Sequence, residues 1–232
     1  MQSMTSASPA NAQILLVGRG KLATEIGSRL PALLGVTLTP WEERRQTFSI
    51  VIHCGSGRQM AQIDAFCRET GSPLLQLATE RGSAEETAYP VVDCPNANIL
   101  MLRFMTMIAS CAHLFRGYTI RLTESHQASK ETRPGTAVRL AGSLGLAPEQ
   151  IHSVRDADIQ QRALGIPAKA VGRHAYHRIE IEDTSCSIAL ESRVDAPEPY
   201  ANGVAMIVRA LCTRRVENRR YSAEELVHLG WI

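Results

Sequence analysis

Strand–helix alternation from residue 13 to about residue 95, opened by a single glycine turn, constrains this chain more than any other feature. Gln13 to Val17 is a short apolar run that stops at Gly18-Arg19-Gly20. Lys21 to Leu34 then carries apolar residues at 22, 23, 26, 30, 33 and 34, the spacing of one helix face. Val36–Thr39 and Phe48–His53 read as strands, the latter with the β-branched content of a buried parallel strand. Met60–Glu69 reads as a helix, closed by Thr70-Gly71-Ser72-Pro73, and Leu74–Leu77 and Val91–Asp93 as further strands. Such alternation predicts an open α/β sheet with helices on both faces.

After Pro95 the pattern changes. A long helix over 98–115 leads into a strand, Tyr118–Glu124, that runs straight into a polar loop. A helix over 137–146, two alternating strands at 170–183 and 186–193, and helices at 201–214 and 223–229 follow. The expectation is an α/β chain: an N-terminal Rossmann-type dinucleotide-binding domain plus a second α+β domain with a mixed sheet. The boundaries read as a leader over 1–12, the first domain over 13–97 and 204–232, and a substrate-binding and oligomerisation domain over 98–203.

Bulk properties exclude several classes. A net charge of +2, with no Lys/Arg block interleaved with aromatics, speaks against nucleic acid as a partner. The most apolar run, Ile99 to Phe115, contains Arg103 and His113 and is shorter than the ~20 apolar residues of a membrane span, so no membrane partner is expected. Six cysteines with no Cys-x-x-Cys pair indicate free thiols in a reducing, cytoplasmic setting. Met1 to Ala12 lacks the apolar core of a signal peptide and reads as a disordered leader.

Gly18-x-Gly20-x-x-Ala23 stands where a strand meets a helix, the position at which glycine lets backbone approach a pyrophosphate and a helix N-terminus faces its charge. Arg19 and Lys21 can add phosphate contacts. The acid that holds a ribose is expected ~20 residues further on. Glu42 and Glu43 fall there and suit the 2′-hydroxyl of NADH, while the adjoining Arg44 and Arg45 suit the 2′-phosphate of NADPH. A tight structural turn and a solvated charged loop are the plainer readings of the same residues.

Residues 124–137 read Glu-Ser-His-Gln-Ala-Ser-Lys-Glu-Thr-Arg-Pro-Gly-Thr-Ala. His126 and Lys130 can supply a proton and stabilise negative charge that builds as a hydride arrives. The backbone N–H groups of Gly135 and Thr136, with the Thr136 hydroxyl, can bind a carboxylate where a helix opens. An ordinary helix start beside solvated side chains is the bland alternative. His174 and His177, three apart on an expected strand, should point to opposite faces, so no metal site is predicted there.

This loop resembles the signature of the dihydrodipicolinate reductase family, Glu-x-His-His-x-x-Lys-x-Asp-x-Pro-Ser-Gly-Thr-Ala, through Glu124, His126, Lys130, Gly135, Thr136 and Ala137. The resemblance runs nearly end to end. Gly20-Lys21-Leu22-Ala23 is similar to the family's nucleotide turn, Ile50-Val51-Ile52-His53-Cys54 to its third strand, and Pro95-Asn96 to its hinge. Val171-Gly172-Arg173-His174 resembles its Gly-x-His strand, and Tyr200-Ala201-Asn202-Gly203 the segment that returns the chain to the first domain. Leu77-Ala78-Thr79-Glu80 stands where the family has Gly-Thr-Thr-Gly. Gln127 replaces the second His, Pro134 the Ser, and Thr132 the Asp, and the loop is one residue short.

The resemblance implies an NAD(P)H-dependent oxidoreductase acting on a cyclic carboxylated imine or enamine, with 4-hydroxy-tetrahydrodipicolinate of lysine and diaminopimelate biosynthesis as the default substrate. It further implies NADPH or NADH as cofactor and a homotetramer. His126 and Lys130 would be the acid–base pair. Gln127, Gly135, Thr136 and Arg193 would bind substrate, and Gly18, Arg19, Gly20, Lys21, Leu22, Glu42 and Thr79 would bind cofactor. A divergent relative reducing another cyclic imine, and a nucleotide-binding protein without catalysis, are the competing readings.

Overall fold

Among the residues described by the computed structural model (12–78, 86–130, 134–196 and 198–232), the strands fall into two separate sheets. The first contains β1 (Gln13–Val17), β2 (Leu38–Pro40), β3 (Ser49–His53), β4 (Leu74–Gln76), β5 (Val91–Asp93) and β10 (Arg220–Ser222). The second contains β6 (Thr119–His126), β7 (Ile151–Val154), β8 (Ala175–Glu182) and β9 (Ser187–Val194). The chain divides into two compact units, one reaching Leu102 and resuming at Tyr200, the other Arg103–Pro199. The proposed leader lies outside the described residues apart from Ala12.

The first sheet is parallel throughout, in the order β10-β5-β4-β3-β1-β2. Period-2 alternation explains its two cores. Ile14, Ile50, Ile52, Leu75 and Val92 point to one face and pack with Ile26 and Leu30 of α1 (Lys21–Leu34), with α6 (Ala201–Thr213) and with Leu226 of α7 (Ala223–His228). Leu15, Val17, Val51, Leu74 and Val91 point to the other face and pack with Ile63, Phe66 and Cys67 of α2 (Met60–Thr70). Strands covered on both faces need near-continuous apolar sequence, and these have it. The strand order reverses between β1 and β3, the place where such sheets bind ligands at their carboxyl ends.

The second unit's sheet is mixed, in the order β7-β6-β8-β9, with β6–β7 parallel and the other two pairs antiparallel. One face carries the buried Leu122, Ile179 and Ile181, and α4 (Gly135–Ser143) packs on β6 and β7 through its own buried Ala137, Leu140 and Ala141.

The structure redraws several expected elements. β2 starts at Leu38, because Gly35 and Val36 finish α1 by donating their N–H groups to the Pro31 carbonyl. The expected helix over 98–115 is α3 (Ile99–Cys111) followed by a 3₁₀ turn over Ala112–Phe115. The division between units runs through α3, whose Ile99 and Leu102 belong to the first unit's core. The strand expected at 170–183 begins only at Ala175, after a 3₁₀ turn over Ala168–Ala170. β7, α5 (Ala157–Arg162) and β10 were not expected at all. No helix among the described residues is long and apolar enough to cross a membrane.

Candidate functional site

In the first unit, the turn after β1 lines a groove of about 940 Å³ together with Thr39–Glu42 after β2 and Cys54–Ser56 after β3. Gly18 has φ +133°, a region that favours glycine, and a Cβ there would lie 2.9 Å from the Cys54 carbonyl carbon. Gly20 precedes α1 with extended backbone, no side chain caps the helix, and a Cβ at Gly20 would meet nothing within 4 Å. An open, uncapped helix start on the groove wall suits a phosphate group.

Arg19 and Glu42 both line the groove and form an exposed ion pair at 3.3 Å. Lys21 is exposed in the first turn of α1. Leu22 offers the groove no side chain, since it packs against the apolar core. Neither of the two arginines weighed for a 2′-phosphate lines the groove. Arg44 stacks over the Trp41 ring at 4.1 Å and donates to the Trp41 carbonyl. The backbone of Arg45 is paired with the Gln13 side chain, at the amino end of β1 and so remote from the groove. Thr79 lies outside the described residues. Trp41, Arg58 and Gln59 also line the groove and were not singled out beforehand.

His53, the last residue of β3, is fully buried under Gly55. Its Nδ1 is 2.5 Å from Gln76 Oε1, and a Cβ at Gly55 would come within 2.9 Å of its Nε2. The loop after β3 therefore needs glycine for a local reason, the ring beneath it.

In the second unit, β6 delivers Glu124 and His126 to one face of the sheet, two residues apart. Glu124 is fully buried, and His126 keeps about 12% of its side-chain surface. Glu124 Oε2 accepts from His126 Nδ1 at 2.7 Å, and its Oε1 accepts from Arg155 Nη2 at 2.6 Å. Arg155 Nε reaches the Lys130 carbonyl at 3.2 Å. Burial, the largest single influence on Glu124, raises its pKa. Hydrogen bonds from His126, Arg155 and Ser153, with the charge of Arg155, outweigh it and bring the carboxyl down to about 2.

Two more imidazoles flank His126. The ring centroids of His177 and His174 are 5.7 and 6.5 Å from it. Alternation holds for the pair: His177 lies on the face of Glu124, while His174, which precedes β8, bonds to Ser125 on the other face. His174 Nδ1 donates to the Ala170 carbonyl and its Nε2 accepts from the Ser125 hydroxyl. Burial, then the like charge of His126, drives His177 down to about 4, and burial lowers His174 as well. Among the described residues no group of three or more His, Cys, Asp or Glu side chains is arranged to hold a metal ion.

Lys130 closes a turn through its N–H to the Gln127 carbonyl, so the two residues share one tight loop after β6. α4 then opens at Gly135 with Pro134 as its cap residue and no side-chain cap. A Cβ at Gly135 would meet nothing within 4 Å, so the helix start is open around Gly135 and Thr136. Thr132 lies outside the described residues.

Arg193 is not brought to this group. The register pairs it with Tyr176, and Tyr176 with Ser125, on the opposite face from Glu124 and His126. There it donates to Glu191 and the Gly165 carbonyl and lies over the Tyr176 ring. Glu124 as a partner of His126 was missed, although two residues apart on a strand is a legible signal. Arg155 gave none, because it reaches Glu124 from 31 positions away.

No protein-family model matches this sequence. The chain is 30% identical over 126 residues to 4-hydroxy-tetrahydrodipicolinate reductase 2, chloroplastic, of Arabidopsis thaliana, a match covering 50% of this chain and 36% of that protein. It is 29% identical over 162 residues to reductase 1, chloroplastic, of the same plant, covering 64% and 47%. The matches thus span less than half the length of these relatives. A dipicolinate-bound dihydrodipicolinate reductase from Paenisporosarcina sp. TG-14 superposes with a TM-score of 0.67 at 13% identity, over 93% of this chain and 99% of that one, which shows a shared fold.

Proposed function

We propose that this chain, a divergent relative of the 4-hydroxy-tetrahydrodipicolinate reductases, is a nicotinamide-dependent reductase of a cyclic imine or enamine that carries a carboxylate. The first substrate to test is 4-hydroxy-tetrahydrodipicolinate, and a homotetramer belongs to the same reading. One observation carries it. A buried, ionised Glu124 holds His126 in the segment that also presents Lys130 and the open start of α4.

The first unit supports the cofactor. Gly18, Arg19 and Gly20 would hold the pyrophosphate at the uncapped start of α1, and Glu42 would meet the adenosine ribose. With Glu42 on the groove wall and neither Arg44 nor Arg45 lining it, the groove suits the 2′-hydroxyl of NADH better than a 2′-phosphate. The bound nicotinamide supplies a hydride. On the protein side, Gly135 and Thr136 bind a substrate carboxylate through backbone N–H groups and a hydroxyl, and the Lys130 ammonium stands for the charge. His126 or Lys130 delivers the proton. Pro134, in place of the Ser, removes a hydroxyl from this loop, and Gln127, in place of the second His, exchanges an imidazole for an amide, which favours a related imine as the second candidate.

Calorimetric titration with NADH and with NADPH, followed by an assay on freshly generated 4-hydroxy-tetrahydrodipicolinate, tests the reading. Nucleotide binding with turnover is the expected result. Binding without turnover moves the substrate to the second candidate, and no response to either nucleotide overturns the reductase reading.

A further inference from the structure

We propose that Glu124 is a positioning residue: its carboxylate fixes His126 through Nδ1 so that Nε2 is the nitrogen that exchanges a proton with the substrate, and through Arg155 it ties His126 to the Lys130 turn. The proposal rests on the reductase reading above and assigns a role within the same site.

A buried carboxylate is costly unless both oxygens are paired. The two oxygens of Glu124 face different partners, and Ser153 adds a further hydrogen bond. Oε2 faces His126 Nδ1 at 2.7 Å and Oε1 faces Arg155 Nη2 at 2.6 Å. Strand register supplies its surroundings, with His177 opposite on β8 and Ser153 opposite on β7. An ionised acid can only accept, so Nδ1 must carry a hydrogen. Nε2, across the ring, is then a lone pair in the neutral imidazole and an N–H in the cation. When the cation gives up its Nε2 proton, the electron pair of that N–H bond stays on Nε2, the substrate gains the proton, and Nδ1–H remains on Glu124. No ring rotation is needed between the two states. Arg155 extends the same network, since its Nε holds the carbonyl of Lys130 at 3.2 Å. One arginine thus ties the backbone of the Lys130 turn to the carboxylate that holds His126.

Glu124→Gln separates this role from simple charge compensation. An amide has one carbonyl oxygen. Arg155, permanently charged, takes that oxygen, which turns the NH₂ toward Nδ1 and forces the hydrogen of His126 to Nε2. Long-range ¹H–¹⁵N imidazole spectra of the full ¹⁵N-labelled chain read this directly, with His126 assigned by its loss in His126→Gln. The wild type should hold the Nδ1–H tautomer in its neutral form, and Glu124→Gln should hold Nε2–H. On the substrate that the wild type turns over, kcat should fall at least ~100-fold, as expected for a misplaced proton donor. KM should change less than about threefold. Glu124→Asp, which keeps a carboxylate, should retain Nδ1–H and part of the rate.

An Nε2–H tautomer in the wild type overturns the proposal, and so does an unchanged kcat in Glu124→Gln. The wild-type spectrum needs no activity, and its assignment needs only that His126→Gln folds. A chain with the Nδ1–H tautomer that binds no nicotinamide nucleotide loses the reductase reading, and with it a reaction for Glu124 to serve.

Discussion

The backbone of α6 at Gly203 lies directly on the carbonyl group of Ala97, and a methyl group at 203 would collide with that oxygen and come within 2.9 Å of Ile99 Cγ1. Two chain passages that are distant in sequence are therefore joined without any side chain between them. Beside this contact, Glu25 of α1 accepts the N–H groups of Tyr200 and Ala201 at 2.6 and 3.2 Å and so holds the start of the same helix.

Gly203→Ala should destabilise the protein by about 2 kcal/mol or more, because backbone cannot yield as a flexible side chain can. For a chain of this size that corresponds to a melting-temperature drop of roughly 4–8 °C. Gly142→Ala, at a helical position where a Cβ meets nothing within 4 Å, should leave melting unchanged or slightly raised, and it serves as the control in the same scan.

Glycines 18 and 20 should separate folding from binding. Gly18→Ala is expected to lower both stability and nucleotide affinity, given its φ of +133° and the Cys54 backbone 2.9 Å from the added carbon. Gly20→Val should fold normally yet weaken nucleotide binding by ~1–3 kcal/mol, since its side chain would point into open groove. Thermal melts paired with calorimetry distinguish the two. Equal nucleotide affinity for Gly20→Val and wild type would rule out pyrophosphate binding at this turn.

His126→Gln and Lys130→Ala should each lower kcat by at least two orders of magnitude with little change in nucleotide affinity. Thr136→Val should mainly raise KM, as it removes a contact made before the transition state. Steady-state kinetics on the identified substrate checks all three, and full activity in both His126→Gln and Lys130→Ala sinks the proposed proton path.

Acid should weaken the second unit in two stages. His177 is held neutral with its pKa depressed to about 4, so the stability it contributes is complete above the unfolded value of about 6.5 and declines as pH falls toward 4. Glu124, depressed to about 2, adds a second decline as pH falls from its usual range near 4.5 toward 2. Urea unfolding at pH 7.5 and pH 5 should show a loss in the wild type that is smaller in His177→Asn. An equal loss in both proteins removes His177 from the account.

Long, strongly periodic elements were legible. α1 spans the residues its apolar spacing marks out, and β3 and α2 differ from their expected limits by one residue. Short elements were legible only in part: β4 and β5 were read to within a residue, whereas β7, α5 and β10 were not. β10 has three residues, and its place beside β5 is fixed by tertiary packing and by the Arg220–Asp93 pair at 2.7 Å, neither of which local pattern encodes. The candidate site divides the same way. His126, Lys130 and the helix start at Gly135 share one continuous segment and could be read together. Arg155 joins them only through sheet pairing, and Arg193 leaves them because strand register puts it on the other face. A motif names residues but carries no information on which side of a strand their neighbours fall.

Because β10, α6 and α7 come from the far end of the chain, the first unit has an order of assembly imposed on it. A ribosome that has just completed β5 has made a sheet that still exposes the edge at Val91–Asp93 and lacks α6 and α7, which share with α1 the covering of Ile14, Ile52 and Val92. About 130 further residues separate that state from closure, on the order of 10 s of synthesis. Throughout that interval the nascent protein carries an unprotected parallel edge and an apolar face covered only by α1, two features prone to mispairing. The second unit, whose strands are contiguous in sequence, can complete itself first. Chaperone demand during synthesis should therefore fall on the first unit, although most of it is translated before the second.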